Sequence, residues 1–402
     1  MKLPSTKKIL TTTAVSTAVT LLASFSGAAS AQSSVTLYGT LDTAVAWASN
    51  TQGHSTFMTS AGNLSPNLWG LKGSEELGNG LKAIFDIESG FNIDNGHANQ
   101  GGRMFGRQAF VGLTSATTGT FTLGRQYDPL IDLLQPLTAD ETFGSIFATP
   151  GDIDNYDNSY RTSNSVKFTT PNYAGLQISA MYGFGGQAGS MGRGQTYAAA
   201  AVYNHGPFGI GAGYFRANNG DSPSFDGLTS VAGAASGWGC GVNCDSAAIS
   251  GTYSTASSIQ IIRAAADYTV GPVTAGLSYS NVQYRNYQTF DASTGANRTS
   301  FNTGQVYVNY KVTPAAVVGI GYNYTKGSGN DVSVAYNQFS LGAIYSLSKR
   351  TDLYALGGYQ HASGKTYMNG IASDAFASMA DFGYDSDSSK QGMVMLGIRH
   401  RF

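Results

Sequence analysis

The densest chemistry in this 402-residue sequence lies between Asp128 and Asn164, where Asp128, Asp132, Asp140, Glu141, Asp152, Asp154 and Asp157 stand against a single base, Arg161. What such a run can do depends on its partners. No HExxH, P-loop, GxSxG or paired CxxC pattern occurs in the chain, and His54, His97, His205, His361 and His400 are scattered without an obvious partner. Neither a catalytic nor a metal-binding set is written here. The chemistry left to the acids is electrostatic, a negative surface acting at short range on ions and on bases across a gap. A run of acids is most simply a solvated loop. This one, however, is about 35 residues long, a length uncommon for a plain loop, and pieces such as "SIFATP" give it apolar surface to pack. Cys240 and Cys244 in "WGCGVNC" are spaced for a local disulfide in an oxidising compartment, closing a loop too small to matter much to the fold. Half a zinc site is the other reading of that spacing, but no second ligand pair lies nearby.

The elements that must hold these charges read as strands. The chain ends "GMVMLGIRHRF", with Val394, Leu396, Ile398, His400 and Phe402 on one parity and Met395, Gly397, Arg399 and Arg401 on the other. A period of two means a strand with two unlike faces. "SSVTLYGTLDTAVAW" and "NQFSLGAIYSL" repeat the pattern, and no stretch keeps a helical period over about 15 residues. Charged residues are only 12% of the chain, about half the ordinary share, while 52 glycines, 24 tyrosines and 20 phenylalanines are present. That is too aromatic for disorder and too poor in charge for an ordinary soluble surface. No run of ~18 apolar residues offers a membrane helix.

The opening "MKLPSTKKILTTTAVSTAVTLLASFSGAASA" has a basic start, a moderately apolar middle and a small-residue finish, the layout of a secretory signal cleaved after Ala31. Residues 32–402 then form the working domain. Without the three signal lysines, 20 bases stand against 24 acids, a net charge of about −4 that gives nucleic acid no basic surface to bind.

Seven short turns (76–81, 115–120, 170–176, 204–209, 269–274, 311–316 and 347–352) alternate with eight longer polar or Gly-rich segments (48–66, 91–104, 128–162, 185–195, 217–257, 286–301, 327–334 and 363–388). Together they join sixteen strands. Short turns at one rim, long loops at the other and no edge left open in lipid describe an antiparallel transmembrane β-barrel. Phe402 then ends the closing strand, facing lipid at the short-turn rim. Parity assigns the lumen charges. Trp69 and Leu71 outward leave Lys72 inside, and Phe85 and Ile87 outward leave Asp86 and Glu88 inside as support for the bases. Phe110 outward sends Arg107, Ala109 and Val111 inside, and Val166 and Phe168 outward send Arg161 and Lys167 inside. Arg125 shares parity with Phe121 and Leu123, which places it at a subunit contact.

The ordered series "SSVTLYGTLDTAVAW", "WGLKGSEELGNGLKAIFDIESGF", "FGRQAFVGL", "TLGRQYDPL" and the terminal Phe402 resembles the general porins of β-proteobacteria and Neisseria. The resemblance covers residues 32–402. It implies an outer-membrane homotrimer of sixteen-stranded, water-filled channels for ions and small hydrophilic solutes, each narrowed by a third loop folded inward. Lipid, lipopolysaccharide and the outer-membrane assembly machinery are the implied partners, with no cofactor or metal. It makes Asp140 and Glu141 the acids of the narrowing, with Asp152 and Asp154 as secondary candidates, and matches Arg107 and Arg161 to the family's basic ladder, to which parity adds Lys72. Leu68 stands where many members carry Arg in "RWGLKG", so the basic wall is incomplete and a weak preference for cations is expected. Phe402 takes the part of an assembly signal. A barrel enzyme, and an adhesin or receptor acting through its external loops, are the alternatives.

Overall fold

A computed structural model describes residues 33–402 apart from 158–159, 187, 219–248, 250–252, 254–255, 287–296, 330–331, 369–370 and 381. The expected signal segment, Cys240 and Cys244 lie outside the described residues. The strands are β1 (Ser34–Thr51), β2 (His54–Ala61), β3 (Leu68–Gly78), β4 (Leu81–Gly90), β5 (Gln108–Ser115), β6 (Gly119–Gln126), β7 (Thr162–Thr169), β8 (Leu176–Gly183) and β9 (Thr196–His205). They continue with β10 (Phe208–Asn218), β11 (Ser258–Val270), β12 (Val273–Arg285), β13 (Arg298–Thr313), β14 (Ala316–Gly329), β15 (Val332–Ser346), β16 (Thr351–Met368), β17 (Ile371–Asp374) and β18 (Lys390–Arg401).

From β3 to β16 each strand pairs antiparallel with the next, and β18 closes the circle between β16 and β1, with Ala48 opposite Met393 at one end and Thr40 opposite Arg401 at the other. β2 and β3 both pair with β1 and form one wall strand interrupted at 62–67, while β17 is a short hairpin leg of the last loop. The wall is therefore a closed sheet of sixteen strands. Outward positions are apolar and exposed, among them Val35, Leu37, Leu123, Ile320, Leu341 and Leu396, as a wall facing hydrocarbon requires.

The short turns fall inside the expected ranges. Two of the expected long segments are mostly strand. β1 runs on to Thr51 and turns into β2 through Gln52 and Gly53, both at positive φ, and β14 and β15 pair as far as Gly329 and Val332. Phe402 extends the closing pairing, exchanging backbone hydrogen bonds of 3.0 and 3.1 Å with Gly39. Its ring lies where a Cβ on residue 39 would stand, so the glycine makes room for it.

One buried carboxylate organises the break between β2 and β3. Asp42 on β1 accepts from the amides of Asn63, Leu64 and Ser65 at 3.2, 2.9 and 3.0 Å and from the Tyr354 hydroxyl at 2.6 Å. The chain at 62–67 has left the ladder and needs those acceptors. Asn63 in turn accepts from the Ser145 amide at 3.1 Å, where Gly144 (φ 65°) lies so close that a Cβ would strike the Asn63 carbonyl. The break thus contacts the tip of the third loop. Asp42→Ala should lower the urea unfolding stability of the folded barrel by roughly 3 kcal/mol or more, since three amides and a hydroxyl lose a charged acceptor. Asp42→Asn, which keeps one oxygen, should recover part of the loss, and an unchanged midpoint for the alanine variant would contradict the role given to this residue.

Candidate functional site

The third loop leaves β6 at Tyr127 and returns to β7 at Arg161. Asp128 caps its first helix, α1 (Pro129–Leu134), accepting from the Leu130 and Ile131 amides at 2.8 and 3.4 Å, and Pro129 supplies a preset φ at the first turn. Leu130, Leu134 and Leu137 lie along one side of this segment, and the "GIGAG" of β10 lies beneath them. A Cβ on Gly213, Gly211 or Gly209 would come within 2.8, 2.5 or 2.6 Å of Leu130, Leu134 or Leu137 respectively. The second helix, α2 (Asp140–Phe143), carries the tip across the lumen. Phe143 and Phe147 stack at 5.0 Å, and with Ile146 they rest on Gly319, Gly321, Gly342 and Gly358 of β14 to β16. Alternate inward glycines are what let a loop lie flat on a pleated wall. Pressed against β8 to β16 in this way, the loop leaves the charged side of the lumen, from β1 to β7, facing it.

Glu88 is the centre of that side. It accepts from Arg107 Nε at 2.5 Å, from the Tyr127 hydroxyl at 3.0 Å and from the Tyr38 hydroxyl at 3.0 Å. The Tyr38 hydroxyl also reaches Asp86 at 2.7 Å, and Lys72 Nζ stands 4.9 Å above its ring. Arg107 and Arg161 approach the Tyr127 ring at 5.7 and 5.2 Å, a separation at which a guanidinium is attracted to the π-face. Burial, reinforced by Arg107 beside it, lowers the Arg161 pKa. Lys167 Nζ holds Asp132 of α1 at 2.6 Å.

Lys72, Asp86, Glu88, Arg107 and Arg161 are therefore brought to one side of the lumen, but Arg107 arrives there for a different reason than parity gave. Phe110 shares the inner face with Asp86, whereas Val111 is outward and exposed. Arg107 precedes β5, so the strand's alternation does not bind it. Arg125, expected at a subunit contact, is buried within the chain, donating to the Gly106 carbonyl and to Ser163 Oγ, both at 2.7 Å.

The acids divide. Glu141 is exposed, and the base whose charge acts on it is Arg399 on β18, not Arg107. Desolvation by the surrounding wall raises its pKa, opposed by Arg399. Asp140 is buried and accepts from Gln135 Nε2 at 2.7 Å. Asp152 accepts from the Asp157 amide at 2.9 Å, and Asp154 accepts from Thr149 Oγ1 at 2.8 Å and Ser280 Oγ at 2.5 Å. These three are turned into the loop's own structure.

Three bases were missed. Arg399, with Arg401, meets Asp352 at 2.9 Å, and the inward parity of the terminal strand already marked both arginines. Arg263 on β11 is buried with its guanidinium 4.1 Å from the Tyr156 ring. Its parity with Ile259 and Ile261 looks lipid-facing in sequence, so no signal pointed to it. Among the described residues no group of three or more His, Cys, Asp or Glu could hold a metal ion.

A closed sheet of sixteen strands, apolar outside and charged within, encloses a lumen wide enough for water, and the protein is in class a transmembrane β-barrel with an inward-folded loop. Residues 18–365 match the family model described as Gram-negative porin. An outer membrane porin protein of Bordetella pertussis is 31% identical over 411 residues, covering 96% of this chain and 98% of its own length. Outer membrane porin protein 32 of Delftia acidovorans is 28% identical, covering 94% and 96%. Among solved structures, an anion-selective porin from Comamonas acidovorans superposes with a TM-score of 0.68 over 92% of this chain and 100% of that one, at 21% identity, a likeness of fold. The chain belongs to the Gram-negative porin family, and its place is the outer membrane.

Glu88→Ala should be the most disruptive change in this cluster, because it strands a buried guanidinium, a defect of about 3–5 kcal/mol. Arg107→Gln should cost less and shift ion selectivity toward cations, since Glu88 then loses its counter-charge. Urea unfolding and reversal potentials read the two effects, and a Glu88→Ala barrel as stable as the unmodified one would refute the pairing.

Proposed function

We propose that this chain is a passive diffusion channel for ions and small hydrophilic solutes, working as a homotrimer. The observation that carries the reading is the third loop laid across the lumen, with Glu141 and Lys72 exposed inside the wall. Catalysis is not part of it. The porins that the chain resembles are channels, and the charged groups of the lumen are bound in pairs rather than arranged around a nucleophile.

The groups that meet water set the ion preference. Of the seven acids in the loop, Asp132 is held by Lys167, Asp128 caps α1, Asp140, Asp152 and Asp154 are buried, and Asp157 is half-buried, which leaves the exposed Glu141. Glu88 is held by Arg107. The loop's formal negative excess is thus largely withdrawn from the permeating ion, and Glu141 and Lys72 stand nearly in balance. Charges act most strongly where confined water screens least. The channel is accordingly weakly selective, with the cation preference read from composition reduced and resting on Glu141.

Outward Val35, Leu37, Val111 and Leu113 give the early strands an apolar face for the trimer contact. Lipid and lipopolysaccharide surround the rest, and Phe402 at the closing pair is the signal read by the assembly machinery.

The channel reading is tested by single-channel recording in planar bilayers under a salt gradient. Stepwise ohmic currents support it, and a folded protein that never conducts overturns it. Glu141→Gln should shift the reversal potential toward anions, and Asp140→Asn should leave it unchanged. Because the Glu141 pKa lies above the ordinary range, cation preference in the unmodified channel should begin to fall at a higher pH than an ordinary glutamate would give. On an unheated gel the protein should run as a slow band that collapses to monomer on boiling, and a monomer under cross-linking in mild detergent would exclude the trimer.

A further inference from the structure

On the inner face of β13 to β16 and β18, five carboxamides stand in one cross-strand row. Gln305 is opposite Asn323, Asn323 opposite Gln338, Gln338 opposite Gln360, and Gln360 opposite Gln391. Gln338, Gln360 and Gln391 are fully buried and Asn323 nearly so. Their amide groups donate to the backbone of two loops. Gln305 Nε2 reaches the Phe147 carbonyl at 3.2 Å, Asn323 Nδ2 the Ala148 carbonyl at 3.2 Å, and Gln338 Nε2 the carbonyls of Ile146 and Ala148 at 3.0 and 3.2 Å. Ser340 Oγ adds a bond to the Ile146 carbonyl at 2.6 Å. Further along the row, Gln360 exchanges hydrogen bonds with Ser378 of the last loop, donating to its carbonyl at 3.0 Å and accepting from its amide at 2.7 Å. Gln391 donates to the Tyr384 carbonyl of the same loop.

The chemistry suits the place. Residues 144–147 form a single 3-10 turn that ends at Ala148, so the carbonyls of 146–148 have no following turn to bond, and buried carbonyls must find donors. A carboxamide gives two donors and an acceptor, so it can hold a loop and a neighbouring amide together. Gln360 Nε2 donates to Gln338 Oε1 at 2.7 Å and links the two loops by one hydrogen bond between side chains. None of these contacts involves an ionised group, so the seat adds no charge to the lumen.

We propose that Gln338 is a positioning residue of the narrowing, fixing the third loop through its backbone, and that Gln360 couples the last loop to that position. The inference rests on the channel reading. It places the control of open-state steadiness in an uncharged row on the wall, away from the charged groups that meet the ion.

The test uses the full chain folded into planar bilayers. Gln338→Leu should raise open-channel current variance several-fold and lower the voltage at which the channel closes. Gln360→Leu, which leaves the bonds from Gln338 to the loop in place, should produce a smaller rise, and Gln177→Leu, a lumen amide on β8 outside the row, should produce none. Gln338→Glu supplies a readout that a general loss of stability would not give. Ionised, it opposes two carbonyls; protonated, it regains an O–H donor. Its noise should therefore fall toward that of the unmodified channel as pH is lowered. Glu141, Asp385 and Tyr336 are present in every variant, so each is compared with the unmodified channel at the same pH. Currents from Gln338→Leu and Gln338→Glu as quiet as the unmodified channel at all pH values would overturn the proposal, as would Gln338→Glu noise that ignores pH. If the Gln338 variants fail to insert, Gln360→Leu decides: excess noise supports the coupling, and quiet currents overturn it. An unmodified protein that does not conduct sinks the channel reading itself, a separate outcome.

Discussion

A sheet in lipid must close, because an unpaired edge strand would leave a row of backbone groups in hydrocarbon with nothing to bond. The pairing of β18 with β1 meets that requirement, and the rest of the structure follows from it. Sixteen strands cannot close around side chains alone; the ring they form is too wide to be filled from its own wall. Something else must narrow it, and it must be chain, which brings its own unpaired backbone groups inside. The inner wall therefore has to offer space and hydrogen-bond partners at the places where the loop touches it. Glycines on β10 and on β14 to β16 give the space, and the Asn63 carbonyl, Tyr307 and the carboxamides of β13 to β16 give the partners.

The two kinds of seat are different in character. On β10 the fit is between glycines two apart in a strand and leucines on one side of a short helix and its continuation, a match of a period of 2 to a period of 3.6. On β14 to β16 the tip is irregular, and its carbonyls are held one by one. Packing fixes the loop's distance from the wall, and hydrogen bonds fix its register along it. The break at 62–67 adds a third restraint at Gly144, from the wall beyond β18 and β1. A loop held from three sides has little freedom to swing, which is why so many of its residues are as buried as a protein core.

Much of the wall could be read in the sequence, because alternation is a local property. The terminal strand's outward Val394, Leu396 and Ile398 and the seven short turns follow from residue type and spacing alone. The segments at 48–66 and 327–334 were read as loops because polar and small residues dominate them. Small and polar residues there leave alternation faint, while the backbone ladder continues through them all the same. Phe110 shows the opposite failure. An aromatic residue was taken as lipid-facing, when the outward positions are Val111 and Leu113 and the ring faces the lumen near Asp86. The site was less legible than the wall for a further reason. Asp140 and Glu141 are neighbours on a helical turn and so point about 100° apart; one is buried and the other meets water. Composition counts both equally. The same holds for Asp152 and Asp154, whose partners lie in the loop itself and, for Asp154, on a strand more than a hundred residues away.

Pairing also explains how a lumen with so many ionisable groups can remain permissive to both signs of ion. A buried carboxylate or guanidinium left alone would be costly, and each would act on a passing ion with little screening. Glu88 with Arg107, Asp132 with Lys167, and Asp352 with Arg399 and Arg401 remove most of that charge from view at short range. What remains is the local field of paired dipoles and a few groups in contact with water. The tip of the loop at 146–148 is held to the wall by uncharged bonds, while most of the ion pairs lie elsewhere around the lumen. Position and electrostatics thus rest on different sets of residues, and a change in one need not carry the other with it.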